Sequence, residues 1–302
     1  MSETFRERCT LSFVVITANR ALELADCLQS IRRQQVNGAE IIVVDNASTD
    51  STATLLSEQF PEVKVHYSPT NLGVSEGRNV GISLAQGEIC VCIDDDAFFS
   101  DDDAASTIIS SFDENPMLAC LAMTILNATT GEEETKGIPR RDKKVVEHDY
   151  EATYFCGAGF AVRRSLFLQA GQFWAPLVYG SQEIDLGYRF LEAGWSIKKS
   201  ASIRVHHRST MLARPSGQWV YFNTRDRPWV AIRHLPWPAV LTTTLLWWGN
   251  TFRVALSSGQ LSSFFRGFVD SLAGFPRAWQ GRKVISRTVI ELLANHSGRY
   301  WY

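Results

Sequence analysis

The stretch Ile89-Cys-Val-Cys-Ile-Asp94-Asp95-Asp96-Ala97 decides the fold of this 302-residue chain. An apolar run of strand length stops at three consecutive carboxylates, which is typical of a strand that is buried in a sheet. In an open α/β sheet, ligands bind at the carboxyl ends of the strands. Three adjacent acids also repel one another unless a positive charge lies among them. The stretch predicts either a divalent-metal site or a solvated acidic loop, since Asp101-Asp102-Asp103 follows closely.

Strand and helix patterns alternate on the amino-terminal side of this stretch. Apolar runs predict strands at 11–17, 40–45 and 63–67, and helical patterns with short connections lie between them. Such alternation predicts an α/β fold with a mostly parallel sheet, Rossmann-like and flanked by helices. The glycines at 73, 77 and 81 lack the Gly-x-Gly-x-x-Gly spacing and follow the third strand, which disfavours a dinucleotide-binding dehydrogenase.

The pattern changes after the acidic stretch. Residues 132–147 are charged and contain glycine, which predicts a mobile surface loop. A strand at 154–162 is interrupted by two glycines, and glycine in a strand indicates a close backbone approach by a ligand or by a neighbouring chain. A helix follows near Glu183, and a last pair of strands ends in His206-His207. We expect residues 1–210 to form the α/β domain, with halves 1–100 and 101–210.

The last third of the chain differs in charge and composition. Residues 211–302 have eleven Arg and Lys against three acids, so residues 1–210 are strongly acidic within a net charge of −2. Seven of the nine tryptophans also lie after residue 210. The arginines are spread out and the α/β domain is acidic, so no nucleic-acid partner is expected. The sequence has no signal peptide and no zinc-like cysteine spacing, which makes a cytoplasmic location the default.

Two helical patterns in this basic, Trp-rich region, at 234–252 and 261–275, combine an apolar face with Trp and Arg. That composition is typical of helices lying in a membrane interface, so we expect a helical region that attaches peripherally to the inner face of the cell membrane. Two alternatives stay open. One is a helical subdomain packed on the α/β domain, and the other is a membrane-spanning helix.

Several chemically useful side chains are expected at one edge of the sheet. Asp45 and the triple Asp end two parallel strands, and Glu183 and His206 follow further along the chain. An Asp at a strand end can accept hydrogen bonds from a base or a ribose. A metal ion on the acidic cluster can neutralise a diphosphate, and oxygen ligands suit Mg²⁺ or Mn²⁺. Glu183 is then available for proton abstraction.

On these motifs the chain resembles the family 2 glycosyltransferases, an inverting family with the GT-A fold, and within it the rhamnosyltransferase-like enzymes of surface-glycan synthesis. The resemblance covers roughly residues 10–210. The matching segments are Val14-Val-Ile-Thr-Ala-Asn-Arg20, Ile42-Val-Val-Asp-Asn-Ala-Ser-Thr-Asp50, Asn71-Leu-Gly73 with Gly77-Arg-Asn-Val-Gly81, Ile93-Asp-Asp-Asp-Ala97 and Gln182-Glu-Ile-Asp-Leu186.

The resemblance implies a role for each matching residue. Those lining the nucleotide-sugar pocket would be Thr17, Asn19, Arg20, Asp45, Asn46, Arg78, Asp94 and Asp95. Asp96 would ligate Mn²⁺ or Mg²⁺ together with Asp94, and His206 would complete the ligation. Strand alternation places Asp94 and Asp96 on one side and Asp95 on the other. Glu183 would be the general base. The implied donor is a UDP- or dTDP-linked sugar, and the acceptor a glycan or a lipid-linked hydroxyl.

One departure and several open choices concern the acceptor side. The family pair Glu-Asp is replaced here by Gln182-Glu183, and Asp185 is the fallback base or else holds the helix in place. Gly157-Ala158-Gly159 would make room for the acceptor or for a tight turn. Trp174 would stack on a sugar or pack in the core.

Two rival functions stay open. A catalytically silent, membrane-associated protein that binds sugar nucleotides is favoured only by the Gln-Glu departure. A sugar nucleotidyltransferase would need a glycine-rich, basic loop after the first strand, and Thr17-Ala-Asn-Arg20 lacks the glycines.

Overall fold

The computed structural model of the chain describes residues 11–34, 36–208, 217–296 and 298. Within these residues an α/β domain is followed by a set of helices. The domain boundary that we predict at residue 210 lies outside the described residues, so it stays a prediction.

The first part of the domain alternates strand and helix, as the sequence predicts. Its strands are β1 (Leu11–Thr17), β2 (Glu40–Asp45), β3 (Lys64–Tyr67) and β4 (Ile89–Asp94). Its helices are α1 (Ala21–Arg32), α2 (Thr52–Gln59) and α3 (Gly73–Leu84). The strands pair in parallel in the order β3-β2-β1-β4. Thr17 is paired with Asp45, and Ile16 with Asp94, so the predicted acids do meet at one edge.

The second part of the domain makes the sheet mixed, where the sequence predicts a mostly parallel one. It adds β5 (Ala97–Phe99), β6 (Leu118–Asn127), β7 (Tyr150–Ala152), β8 (Gly159–Arg163) and β9 (Ser196–His207). The full order is β3-β2-β1-β4-β8-β6-β9-β5, with β7 also paired to β9. β8 is antiparallel to both of its neighbours. The described chain has no helix between β6 and β8, whereas the crossovers between parallel strands are usually helical.

β9 is one long strand, whereas the sequence predicts a pair of short ones. It runs parallel to β6, but its register shifts between Ala122 and Thr124 of that strand. The partner of Ala122 is Lys199 and the partner of Thr124 is Arg204, so β9 bulges between these two positions. The polar residues of the bulge resemble a turn in the sequence, which explains the wrong prediction.

Three helices cover the second half of the sheet. They are α4 (Ala104–Glu114), α5 (Arg164–Gln169) and α6 (Gln182–Glu192). Successive side chains of each strand alternate between the two faces of the sheet, as in β4. Cys90 and Cys92 belong to one apolar cluster, and Val91 and Ile93 belong to the other. The cluster that contains the cysteines continues into the C-terminal helices, where Trp229 is part of it.

The C-terminal helices are α7 (Gln218–His234), α8 (Trp237–Ser257), α9 (Leu261–Ala273), α10 (Phe275–Gln280) and α11 (Arg287–Asn295). They pack on the α/β domain, mainly through α7 against α6 and through α11 against α6. Pro236 separates α7 from α8, since the residue before a proline is driven out of the helical region. This region is therefore helical, as predicted, and it shares a core with the α/β domain.

Pro228 lies inside α7, and α8 supplies the hydrogen bond that this proline removes from the helix. Proline has no N–H, so the carbonyl of Thr224, four residues earlier, loses its partner within the helix. Trp248 Nε1 of α8 donates to that carbonyl oxygen at 3.0 Å. The irregular turn of α7 thus becomes a contact that fixes α8 against it.

No helix in the described part of the chain has the length and apolar character needed to cross a membrane.

Candidate active site

The three acids occupy the end of β4 and the turn that follows. Asp94 is the last residue of β4, and Asp95 and Asp96 precede β5. Asp96 is buried, while the Asp94 side chain is 32% exposed. Asp94, Asp96 and His207 each offer one ligand atom, and these atoms lie within 4.8 Å of one another. We refer to these three residues as the metal group.

The histidine of the metal group is His207, whereas the sequence predicts His206. β5 pairs with the end of β9, so that Ala97 is opposite His207 and Phe98 is opposite His206. Successive side chains of a strand point to opposite faces. The His206 ring therefore stacks on Phe98, with centroids 5.2 Å apart. His207 faces Asp96 instead, with Nε2 at 3.3 Å from Oδ1. The expected ligand is corrected from His206 to His207.

Glu134 holds the other side of the His207 ring. Its Oε2 lies 3.3 Å from Nδ1 of His207. The backbone N–H of Glu134 donates to the carbonyl of Ile125 at 2.8 Å, so the start of the predicted mobile loop is fastened to β6. Burial would lower the pKa of His207, but Asp96, Asp94 and Glu134 outweigh burial and raise this pKa to about 9. The site therefore attracts positive charge.

Arg20 supplies positive charge on the other side of the acids. Its Nη1 lies 2.8 Å from Oδ1 of Asp95 and 2.9 Å from Oδ2 of Asp96. Burial raises the pKa of Asp95 to about 7, even though Arg20 opposes the shift. Asp95 is directed to Arg20 and is not part of the metal group. The middle acid thus differs from its two neighbours, but strand alternation is not the cause, because Asp95 and Asp96 lie in the turn after β4.

Arg78 connects the metal group to Glu183. It lies on α3 and is buried, and its Nη2 donates to Oδ1 of Asp94 at 2.8 Å and to the carbonyl of Gly157 at 2.7 Å. Its Nη1 is 3.8 Å from Oε1 of Glu183. A Cβ on Gly157 would lie 2.5 Å from Glu183 Oε1 and 3.0 Å from Arg78 Nη1. The close approach that we predict at this glycine is therefore made by two side chains of the same chain.

Glu183 lies in the first turn of α6, where the helix dipole favours a carboxylate. Its side chain is 14% exposed. Burial raises the pKa of Glu183, and Arg78 opposes the shift. Gln182 Nε2 donates to Oε1 of Glu183 at 2.8 Å. Gln182 stands where the family usually has a glutamate. It therefore places a neutral hydrogen-bond donor beside Glu183, whereas a glutamate would place a second negative charge there.

The Asp185 carboxylate is enclosed by side chains of α6 and α7. It is fully buried on α6, and its oxygens accept from Arg189 (2.6 Å), Arg233 (2.9 Å) and His234 Nε2 (2.8 Å). Burial would raise the pKa of Asp185, but these neighbours hold it well below its usual range. A carboxylate enclosed in this way cannot reach an acceptor hydroxyl, so Asp185 anchors α6 to α7 and is not a fallback base.

The predicted nucleotide residues at the ends of β1 and β2 hold together the loops that follow these strands. Asp45 Oδ1 accepts from the N–H of Ser48 at 2.9 Å. Asn46 is buried and its Oδ1 accepts from the N–H of Leu72. Asn19 adopts a positive φ of 55°, and its Oδ1 accepts from the N–H of Thr49 at 2.7 Å.

The predicted acceptor residues are divided between the site and the core. The carbonyl of Ala158 accepts from the N–H of Asp94 at 3.2 Å, so this segment adjoins the metal group. Gly159 is buried, and a Cβ there would meet only apolar side chains. Trp174 packs against Trp229, and Arg233 lies over its ring at 4.2 Å from the centroid. These contacts favour packing for Trp174.

Sequence reasoning missed several residues that complete the site. His207 resembles a solvated neighbour of His206, and Glu134 lies in a segment without a strand pattern. Arg233 and His234 belong to a helix with little amphipathic pattern. The sequence held no usable signal for any of the four, because even the choice of His207 depends on the pairing of β9 with β5.

The fold and this edge define an α/β protein of the GT-A type. Residues 12–170, just over half of the chain, match the model of glycosyl transferase family 2. The chain therefore belongs to glycosyl transferase family 2, and it is a glycosyltransferase.

Similar proteins agree with this assignment. A segment of 106 residues is 32% identical to an uncharacterized glycosyltransferase of Haemophilus influenzae and covers 35% of each chain, so it spans about a third of that relative. The crystal structure of GalNAc-T7 with UDP, GalNAc and Mn²⁺ superposes with a TM-score of 0.66 at 15% identity, over 95% of this chain and 58% of the other. S. aureus TarS 1-349 in complex with UDP-GlcNAc gives a TM-score of 0.64 at 17% identity, over 90% and 84%. The two structures show that the fold is shared.

Proposed function

We propose that the chain moves a sugar from a UDP- or dTDP-linked donor to a hydroxyl of a glycan or lipid-linked acceptor, with a divalent ion and with inversion. The reaction would serve the synthesis of a cell-surface polysaccharide or glycolipid. The observation on which this proposal rests is the position of Arg78, which lies 2.8 Å from Asp94 of the metal group and 3.8 Å from Glu183. A group for the leaving diphosphate and a proton acceptor therefore lie on either side of one guanidinium.

The donor atoms of the metal group suit the ion that we propose. Carboxylate oxygens suit Mg²⁺ and Mn²⁺, and an imidazole nitrogen suits transition metals, so this set fits Mn²⁺ better than Mg²⁺. The surroundings of His207 are a second indication, because carboxylate oxygens of Asp96 and Glu134 lie 3.3 Å from its two ring nitrogens and favour a positive charge at this position. Structures of two proteins with the same fold, GalNAc-T7 and the mannosyltransferase PcManGT, contain Mn²⁺ with a nucleotide or a nucleotide sugar.

Each residue of the site then has a task. Asp94, Asp96 and His207 would hold the divalent ion, which would supply Lewis-acid neutralisation of the leaving diphosphate. Glu183 accepts the proton of the acceptor hydroxyl, and general-base catalysis of this kind contributes about 10²–10⁴-fold. Burial raises the pKa of Glu183, while Arg78 and the N-terminus of α6 oppose this rise and favour the ionised form. Gln182 orients the carboxylate through its hydrogen bond to Oε1.

The arrangement of acids supports inversion. A retaining double displacement needs a second carboxylate, free to act as nucleophile, on the other side of the sugar. The other acid of the same helix turn, Asp185, is enclosed by three side chains. One base and one attacking hydroxyl lead to a single in-line displacement.

The decisive experiment compares Glu183→Gln with the wild-type chain on a panel of UDP- and dTDP-sugars in the presence of Mn²⁺. We expect turnover to fall about 10²–10⁴-fold, while affinity for UDP and Mn²⁺ stays within about threefold. Glu58→Gln, an exposed residue of α2, is the matched control and should behave as wild type. Unchanged turnover in Glu183→Gln would remove Glu183 from the mechanism.

The donor-hydrolysis assay and an assay of pyrophosphate release separate the two rival functions from the proposed one. A silent sugar-nucleotide-binding protein would bind UDP with Mn²⁺ and hydrolyse no donor on the panel. A nucleotidyltransferase would release pyrophosphate from a nucleoside triphosphate and a sugar phosphate, which a coupled pyrophosphate assay detects.

A further inference from the structure

The exposed apolar side chains of this protein are concentrated on the C-terminal helices. Of the eighteen large hydrophobic residues that are exposed among the described residues, thirteen lie after residue 217. Eleven of these are on α8, α9 and α10, with 38–66% of each side chain exposed. We name these eleven residues the apolar face: Trp237, Leu241, Leu245, Leu246, Phe252, Leu256, Phe265, Val269, Leu272, Phe275 and Trp279.

Helical spacing explains why these side chains remain outside. Leu241, Leu245, Phe252 and Leu256 recur at intervals of four and seven along α8, so they form one stripe. The opposite side of α8 is already packed, since Trp247 and other residues of that side are buried. α9 repeats the pattern with its own stripe. At roughly 80 Å² per half-exposed side chain, the apolar face measures on the order of 900 Å², above the about 300–600 Å² of the largest patch on a typical monomer.

We propose that the apolar face docks onto the surface of an anionic phospholipid bilayer. Residues 237–296 contain six Arg and Lys, namely Arg253, Arg266, Arg277, Arg282, Lys283 and Arg287, against the two acids Asp270 and Glu291. Asp270 accepts a hydrogen bond from Tyr221 of α7, so part of its charge is engaged within the protein. Cations beside an apolar helix face are the combination that binds anionic lipid.

The tryptophans at the edge of the apolar face fit the same partner. The rings of Trp237 and Trp279 stack with centroids 5.7 Å apart, and Arg282 lies over both, at 5.2 and 5.3 Å. Each ring keeps more than two fifths of its surface exposed. Tryptophan beside arginine is typical of the level of the lipid headgroups, where one side of the ring is apolar and the other is wet.

The charge distribution favours lipid over a second copy of the chain. In a twofold dimer the same patch would face itself, so two sets of the six cations would come together. Like charges opposite one another disfavour such a contact. On an anionic surface the same cations are attracted, while the acidic α/β domain is repelled and turns away from the lipid. A lipid-linked acceptor would then be held within reach of the protein.

The test is flotation of the full chain with vesicles of phosphatidylcholine alone and with added phosphatidylglycerol. We expect the chain to float with the anionic vesicles, and to be released by high salt. Leu245→Glu combined with Val269→Glu changes two positions that are 66% and 60% exposed, so the fold should be retained. This variant should lose vesicle binding at least tenfold, while its donor turnover in solution stays at the wild-type level.

Leu84→Glu is the matched control, because Leu84 is half-exposed on α3, outside the C-terminal helices. Wild-type binding by the double variant, or equal loss in the control, would overturn the proposal. A dimer that the double variant dissociates, with no flotation of the wild type, would identify the apolar face as a contact between copies instead. Because donor turnover is measured separately, failure of the lipid proposal and failure of the proposed function give different results.

Discussion

Glu134 offers the sharpest test of how the metal group is built. The residue does not belong to the group, but its Oε2 lies 3.3 Å from Nδ1 of His207. On the other side of the ring, Nε2 lies 3.3 Å from Asp96. A carboxylate on Nδ1 fixes the orientation and tautomer of a ligating histidine and makes Nε2 more basic. Glu134→Ala should therefore weaken Mn²⁺ binding without removing any ligand.

The size of this effect follows from the role of the residue. Loss of an outer partner of a ligating histidine typically reduces metal affinity 10–100-fold, which is about 1.4–2.7 kcal/mol. Glu134→Gln keeps an oxygen that can accept from Nδ1–H but loses the negative charge, so its loss should be smaller. Affinity is measured by titrating Mn²⁺ calorimetrically in the presence of UDP, and the tautomer of His207 is followed by ¹⁵N-histidine NMR.

Two controls separate this role from a general disturbance of the segment. Glu132→Ala, an exposed position two residues away, should leave Mn²⁺ affinity unchanged. In a His207→Ala background, Glu134→Ala should have almost no further effect, because Glu134 acts through His207. Equal losses in the single and double backgrounds, or an unchanged affinity in Glu134→Ala, would refute this reasoning.

Two further predictions concern α6. Burial raises the pKa of Glu183, so the ionised form should be lost at a pH above the pKa of a free glutamate, and kcat should fall with it. A pH–rate profile whose acidic limb lies at the pKa of a free glutamate would contradict this. Asp185→Asn should lower the free energy of unfolding by about 3–5 kcal/mol at pH 7, because it leaves Arg233 buried beside a neutral group. The control is Asp142→Asn, which breaks the exposed ion pair with Arg140 and should lower it by less than about 1 kcal/mol. Both values are measured by denaturant titration. The pKa of Asp185 is lower in the folded protein than its value of about 3.9 in the unfolded chain. The difference in unfolding free energy between the wild type and Asp185→Asn should therefore be present above about pH 3.9 and disappear as pH falls through the pKa of the folded protein. A difference that stays constant at all pH values would contradict the assignment.

The amino-terminal half of the fold could be predicted from the sequence because the patterns that specify its strands and helices are local. Each apolar run is long enough for one strand, and helical patterns lie between the runs, so the parallel direction of the strands and the shared edge follow from general rules of chain connection. The second half could not be read in this way. The antiparallel return of β8 and the bulge of β9 depend on pairings between segments that are far apart in the chain.

From the sequence alone, Asp94, Asp96 and Glu183 are candidate functional acids, since they follow an apolar strand or begin an amphipathic helix and match motifs of the family. Only the tertiary structure decided which histidine joins the acids. The three residues of β5 set the face of β9 that His207 occupies, and so short a strand has almost no pattern of its own. The same reason applies to Asp185, whose partners in α7 lie nearly fifty residues away. A side chain acquires its role from what lies beside it in space, and periodicity along the chain does not contain that information.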